Sequence, residues 1–193
     1  MSLTHPPTSG ARPLTSSPTA GATAWIPTLA VAGALAALGW FGFVRGVRVP
    51  LLGLFDLGIH ELGHLISYPL PVPRVVEAAA GSGAQILVPS GLVVYFLGVR
   101  GDHLAAAFCA GWAATSMVDV SIYVADAPYQ RLSLIGGYHD WAYILGPSGL
   151  NHLEWAAGLA RGLRTTALLV WLVSLAVVVG PPLLGRLLPS PGR

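Results

Sequence analysis

The sequence predicts an all-α fold: a polytopic transmembrane helical bundle of about five spans. Three observations carry that expectation. Mean hydropathy is +0.67, and 54% of the 193 residues are hydrophobic. Only 9% are charged, against about 25% in soluble globular chains. Apolar runs of about 20 residues, the length of a bilayer-crossing helix, recur along the chain.

Residues 1–23 are rich in Pro, Ser, Thr and Gly. Such a segment buries too little apolar surface to order itself, so a disordered N-terminal tail is expected. It lacks the basic start and early apolar run of a secretory signal. Residues 24–188 form the expected membrane domain, and 189–193 a short tail. The first apolar stretch, Trp25 to Val44, is uncharged and stops at Arg45 and Arg48, so it reads as an anchor. The second spans Val49 to Leu70 and ends in "YPLPVPR", whose prolines terminate helices. The third covers roughly Ala78 to Val99, interrupted near its start by "GSGAQ", and carries Pro89. The fourth runs from about His103 to Ala125 and contains Asp119. The last runs from Thr165 to about Leu184 with a break at Pro181-Pro182. Between the fourth and fifth lies a half-polar segment rich in Gly and aromatics, expected to form a loop with one or two short helices.

All ten basic residues are Arg, scattered singly or in pairs, so the chain offers no nucleic-acid surface. If loops alternate sides, Arg45, Arg48, Arg100, Arg186 and Arg193 fall on one side. Arg12, Arg74, Arg131, Arg161 and Arg164 fall on the other. That even split leaves the positive-inside rule without a signal. The single Cys109 excludes an internal disulfide and a Cys-based zinc site.

Polar chemistry concentrates in the second run, "DLGIHELGHLISYPL". HELGH fits His-Glu-x-x-His, and residues four apart lie one turn above each other on one helix face. His60 and His64 can therefore bind one zinc ion, with Glu61 as general base. Six His and three Glu in this length produce the pattern by chance in roughly 0.3% of such chains. Burial in lipid makes the alternative, a structural histidine pair, expensive. Asp56 and Glu61 cost roughly 5–7 kcal/mol to insert, and the run's apolar residues return roughly 3–7. A dication with hydrogen-bonded partners would compensate these groups in the folded protein. Asp56, His60, His64 and Ser67 form one stripe, so Asp56 is a candidate to orient His60, or else a helix cap.

Two His are an incomplete site, since catalytic zinc takes three protein ligands plus water. Ser67 and Leu70 stand where the extended soluble motif needs Gly and His, which excludes that class. Glu77 is a weak candidate. Asp119, Tyr123 and Asp126 share a helical face, and Asp119 lies deep in an apolar run. Asp119 is a candidate ligand, or an acceptor for a ligand His. Asp126 either joins it or marks the span's end. His139 in "GGYHDW" follows two glycines that permit a sharp turn, with Asp140 beside it as a further candidate metal donor or as acceptor for a ligand His. His139 is favoured over Asp119 as third ligand because imidazole is the commonest neutral donor. Gln85 is a candidate substrate-binding residue or an interhelical hydrogen-bond partner. His103 and His152 sit in boundary and amphipathic contexts.

A membrane-embedded HELGH helix resembles the site-2 protease family of intramembrane zinc metalloproteases, which cut transmembrane segments of other proteins. The match lies at His60, Glu61 and His64. That family also carries an Asp ligand on a later span before Gly; here Asp119 is followed by Val120. HELGH, the Gly-rich segment with Gln85, "DVSIYVADA" and "HDW" together look like a small bacterial group related to those proteases. This second resemblance covers residues 56–145 and implies that Asp119, Asp126, His139 and Asp140 share the site of the HELGH helix. The resulting expectation is a multi-pass zinc metallopeptidase of the cell membrane. Its partners would be the lipid bilayer and a transmembrane protein substrate. The rival expectations are a zinc hydrolase of a lipid or small apolar substrate, and a non-catalytic metal-binding membrane protein.

Overall fold

A computed structural model describes residues 25–135 and 137–187, and side chains only as far as residue 183 within the last helix. The expected tails, 1–23 and 189–193, lie outside the described residues. The described chain is helical throughout its regular structure. Helix α1, Ile26–Gly39, has Pro27 in its first turn, where the missing N–H costs nothing. It widens into a π-turn, Trp40–Arg45, and stops at Gly46 with φ 61°. Helix α3, Arg74–Tyr95, ends the same way, through Phe96–Arg100 to Gly101 with φ 62°. Both stops read Val-Arg-Gly: the glycine supplies the left-handed turn and the arginine faces the negative end of the helix dipole. Helix α4, His103–Asp126, is capped by Asp102, which accepts from the Ala105 N–H at 2.9 Å. Helix α6 runs Ala156–Leu187 after a 3₁₀ turn at Leu153–Trp155.

Four helices, Ile26–Arg45, Arg74–Arg100, His103–Asp126 and Leu153–Leu183, are long and apolar enough to cross a membrane. That corrects the expectation of five. Helix α2, Leu52–Ser67, has 16 residues and is about 24 Å long, short of a hydrocarbon core of about 30 Å. Two expected interruptions are also absent. "GSGAQ" lies inside the continuous α3, and Pro181 and Pro182 lie inside α6.

α4 is the central helix and packs most extensively against α6. Along α1, Leu35 meets Gly111, and Gly42 meets Thr115 and Val118. Along α2, Asp56 reaches Trp112 and Ser116, and the His60 ring lies 5.9 Å from Tyr123. Both series climb α4 in the same direction, so α1 and α2 run parallel although they are consecutive. The loop 46–51 must therefore run back along the bundle, and Val49 and Leu52 pack on the Leu35, Leu38, Ala107 and Val178 cluster. α3 descends antiparallel to α4, so Arg45 and Arg100 lie toward opposite ends. The alternating-loop assignment of the arginines fails because α2 does not reverse the chain.

Glycines set the closest contacts. Gly39 lies under the Trp171 ring, whose Nε1 donates to the Leu35 carbonyl at 2.8 Å. Gly63 faces Ala80 and Ala84, so α2 and α3 approach backbone to backbone. Buried Asp56, 3% exposed, accepts from Trp112 Nε1 at 2.7 Å and from the Ser116 hydroxyl at 3.1 Å. It therefore ties α2 to α4 and does not orient His60 as the stripe suggested. Asp56→Ala strands the Trp112 Nε1–H, while the Ser116 hydroxyl keeps the Trp112 carbonyl at 3.2 Å; an expected loss of about 2 kcal/mol follows from leaving a buried donor unpaired. Thermal unfolding in detergent checks this as a lowered midpoint, which Asp56→Asn recovers in part.

Candidate metal centre

α2 turns His60 and His64 toward α3. His60 Nε2 and His64 Nε2 lie 3.2 Å apart, and each lies 3.2 Å from Asp140 Oδ2. These three residues form a group able to hold a metal ion, all partly or fully shielded from solvent. A tetrahedral ion with bonds of about 2.0–2.1 Å separates its donors by roughly 3.3 Å, so the triangle already has the spacing of one tetrahedral face.

The surroundings fit the same purpose. His64 Nδ1 lies 3.0 Å from the Glu77 carbonyl. A carbonyl only accepts, so Nδ1 carries the proton and Nε2 presents its lone pair to the group. Glu77 thus contributes its backbone. Gly81 sits directly over the triangle: a Cβ there would lie 2.5 Å from both Nε2 atoms. Glycine is required because α3 passes where the donors converge. A glycine inside an apolar helical pattern was the available signal for this approach.

Asp140 is the first residue of α5, Asp140–Leu145. It gains there from the positive end of the helix. Trp141 Nε1 donates to the Ser82 hydroxyl at 3.0 Å, and the Arg74 guanidinium lies 5.5 Å over the Tyr143 ring, so α5 is moored to α3. Tyr123 clamps Asp140 twice. Its hydroxyl donates to Oδ2 at 3.2 Å and accepts from the Asp140 N–H at 2.9 Å. Burial works to raise the Asp140 carboxyl. With no ion bound, the His60 hydrogen bond, His64 and His60 when protonated, and the Tyr123 hydroxyl outweigh it and hold the group below its ordinary value.

His139 is not part of the donor group. Its Nδ1 accepts from the Ala142 N–H at 3.2 Å as the cap of α5, and its Nε2 donates to Asp126 Oδ2 at 3.3 Å. The lone pair a metal would need is spent on the helix. Burial pushes this imidazole below its ordinary value despite Asp126 and Asp140, in line with an Nδ1 that accepts and so carries no proton. Asp126 also takes the Arg131 and Leu132 N–H groups at 3.0–3.1 Å, and so ties the loop after α4 to His139. Gly137 has φ 76°, and its neighbour Gly136 lies outside the described residues. His139→Ala is expected to cost about 1 kcal/mol through the lost cap. Affinity for a divalent metal ion should fall about tenfold, because Asp140 is held less firmly. Competition with a chromogenic chelator measures it.

Asp119 is likewise not part of this group. Its Oδ1 lies 2.6 Å from Arg48 Nε, and its Oδ2 accepts from Gln85 Nε2 at 2.8 Å. Gln85 therefore makes the interhelical bond, while still lining the same cavity. That cavity, of about 760 Å³, is bordered by His60, Glu61, His64 and Asp140 and also by Arg48, Gln85 and Asp119. The size suits a small ligand or a short peptide segment. Glu61 is exposed on α2 and faces this space. Sequence reading passed over Tyr123 and Arg48 as site residues. Tyr123 stood on the Asp119 stripe, but its partner arrives only when α5 docks, and Arg48 read as a membrane-flanking charge. No family model, curated protein or solved structure matches this chain.

Proposed function

We propose that the protein is a multi-pass zinc metallopeptidase of the cell membrane, similar to site-2 proteases, that hydrolyses peptide bonds in or near the bilayer. The observation that supports this reading is the 3.2 Å triangle of His60, His64 and Asp140 on the cavity that Glu61 also lines. His60, His64 and Asp140 would hold the ion. Two neutral imidazoles and one carboxylate form a donor set known from zinc peptidases. When bound, zinc supplies Lewis acidity for a carbonyl and brings water near neutral pKa.

The chain supplies the rest. Glu61 takes a proton from water and returns it to the departing amine. Tyr123 fixes the Asp140 carboxylate, and Glu77 fixes the His64 tautomer. The donor side chains are only 11–18% exposed, and this partial burial strengthens every charge there. Quantitative comparison of membrane-protein fragments in cells carrying wild type or Glu61→Gln tests the proposal. New peptide termini that vanish with Glu61→Gln support it. Unchanged termini with altered lipids would instead favour a membrane zinc hydrolase of apolar substrates.

A further inference from the structure

We infer that Arg48, set by Asp119 and Gln85, is a carboxylate-binding subsite of the same cavity. It would select substrates that carry a carboxylate about one residue beyond the bond cleaved. The inference rests on the peptidase reading and adds a substrate class to it.

The placement comes from helix periodicity. Gly81 covers the His60–His64–Asp140 triangle, and Gln85 is one turn farther along α3. Tyr123 touches Asp140, and Asp119 is one turn back along α4. Both helices thus put the Arg48–Asp119–Gln85 layer about 6 Å from the triangle, in the same direction. One peptide residue advances about 3.8 Å, so a group one residue beyond a carbonyl held at the triangle reaches this layer.

The chemistry follows from how Arg48 is held. Asp119 engages only Nε, at 2.6 Å. Among the described residues the guanidinium makes no other hydrogen bond, and its side chain is 51% exposed and faces the cavity. The remaining Nη1–Nη2 edge has the fork geometry that matches a carboxylate's two oxygens. Asp119 is itself only 12% exposed and is fixed by Gln85, so the orientation is set before a ligand arrives. A purely structural ion pair would have no need of a cavity wall. Asp119, which holds the arginine, is an acid within the His103–Asp126 span, and an ionisable group there is a functional feature by default.

The test uses zinc-loaded Glu61→Gln protein in detergent, which does not hydrolyse the probes. N-acetyl-Leu-Leu with a free C-terminal carboxylate is titrated against its C-terminal amide, and N-acetyl-Leu-Asp-amide against N-acetyl-Leu-Asn-amide. The acid of at least one pair is expected to bind about tenfold tighter than its neutral twin. The pair that discriminates tells whether the carboxylate is a chain terminus or a side chain. Arg48→Gln is expected to erase the preference, and Arg48→Lys to keep part of it. Equal binding within both pairs overturns the inference even if the arginine variants fail to fold, and so does an undiminished preference in folded Arg48→Gln. Zinc content is measured on these preparations, and hydrolysis on wild-type protein purified in parallel. Their failure strikes the peptidase reading, whereas failed discrimination with zinc in place strikes only the subsite.

Discussion

Glu61→Gln is expected to lower peptide hydrolysis by about 10²–10⁴-fold while zinc content stays unchanged. That range is the usual contribution of a positioned general base. The glutamine keeps the shape of the side chain but cannot take a proton. Glu61 is not in the His60–His64–Asp140 group, so its replacement leaves the donors in place. A fluorogenic peptide assay beside elemental analysis of the same sample separates the two effects. If hydrolysis persists at wild-type rate, Glu61 is not the base; if zinc is lost too, the residue belongs to the metal group.

Gly81→Ala is expected to have the second large effect. The added Cβ would meet His60 Nε2 and His64 Nε2 at 2.5 Å each, far inside contact distance. Either α3 moves off α2 or the two rings swing apart. Backbone movement is opposed by Gly63 packed on Ala80 and Ala84, so the rings give way and the triangle opens. Zinc affinity should drop at least as far as the 10–100-fold that follows loss of a partner around a ligand. Overpacking should cost about 1–3 kcal/mol of stability besides. A chelator competition series with a thermal melt measures both. Gly83→Ala is the control, because nothing lies within 4 Å of a Cβ there.

The helical class and the HELGH pair could be read in the sequence because each depends on local pattern. Hydrophobicity runs announce helices, and a spacing of four puts His60 and His64 on one face. The number of crossings could not be read so directly. The run 49–70 has the apolar content of a span, yet α2 covers only Leu52–Ser67, bounded by Pro50 before it and the prolines of "YPLPVPR" after it. Its direction depends on the 46–51 loop folding back, where Val49 and Leu52 pack on the distant Leu35, Leu38, Ala107 and Val178 cluster. The third donor was one residue away from the one favoured. Ligand chemistry ranks His139 above Asp140, but His139 caps α5. Histidine is not among the residues that ordinarily announce a cap, so nothing local marked its lone pair as taken. Asp119, Asp126 and Asp56 stand out in the sequence as candidate ligands or ligand partners, yet the donor group contains none of them. Their partners, Arg48, the Arg131–Leu132 backbone and the Trp112–Ser116 pair, come from packing that sequence spacing does not encode.

Zinc stoichiometry of four purified proteins tests the central claim most directly: wild type, the His60→Ala, His64→Ala double variant, Asp140→Ala and His139→Ala. The account predicts about one zinc per chain in wild type and in His139→Ala at saturating metal, and none retained after dialysis in the other two. Wild type without zinc, or Asp140→Ala that keeps it while His139→Ala loses it, would contradict the assignment of His60, His64 and Asp140 as the metal centre.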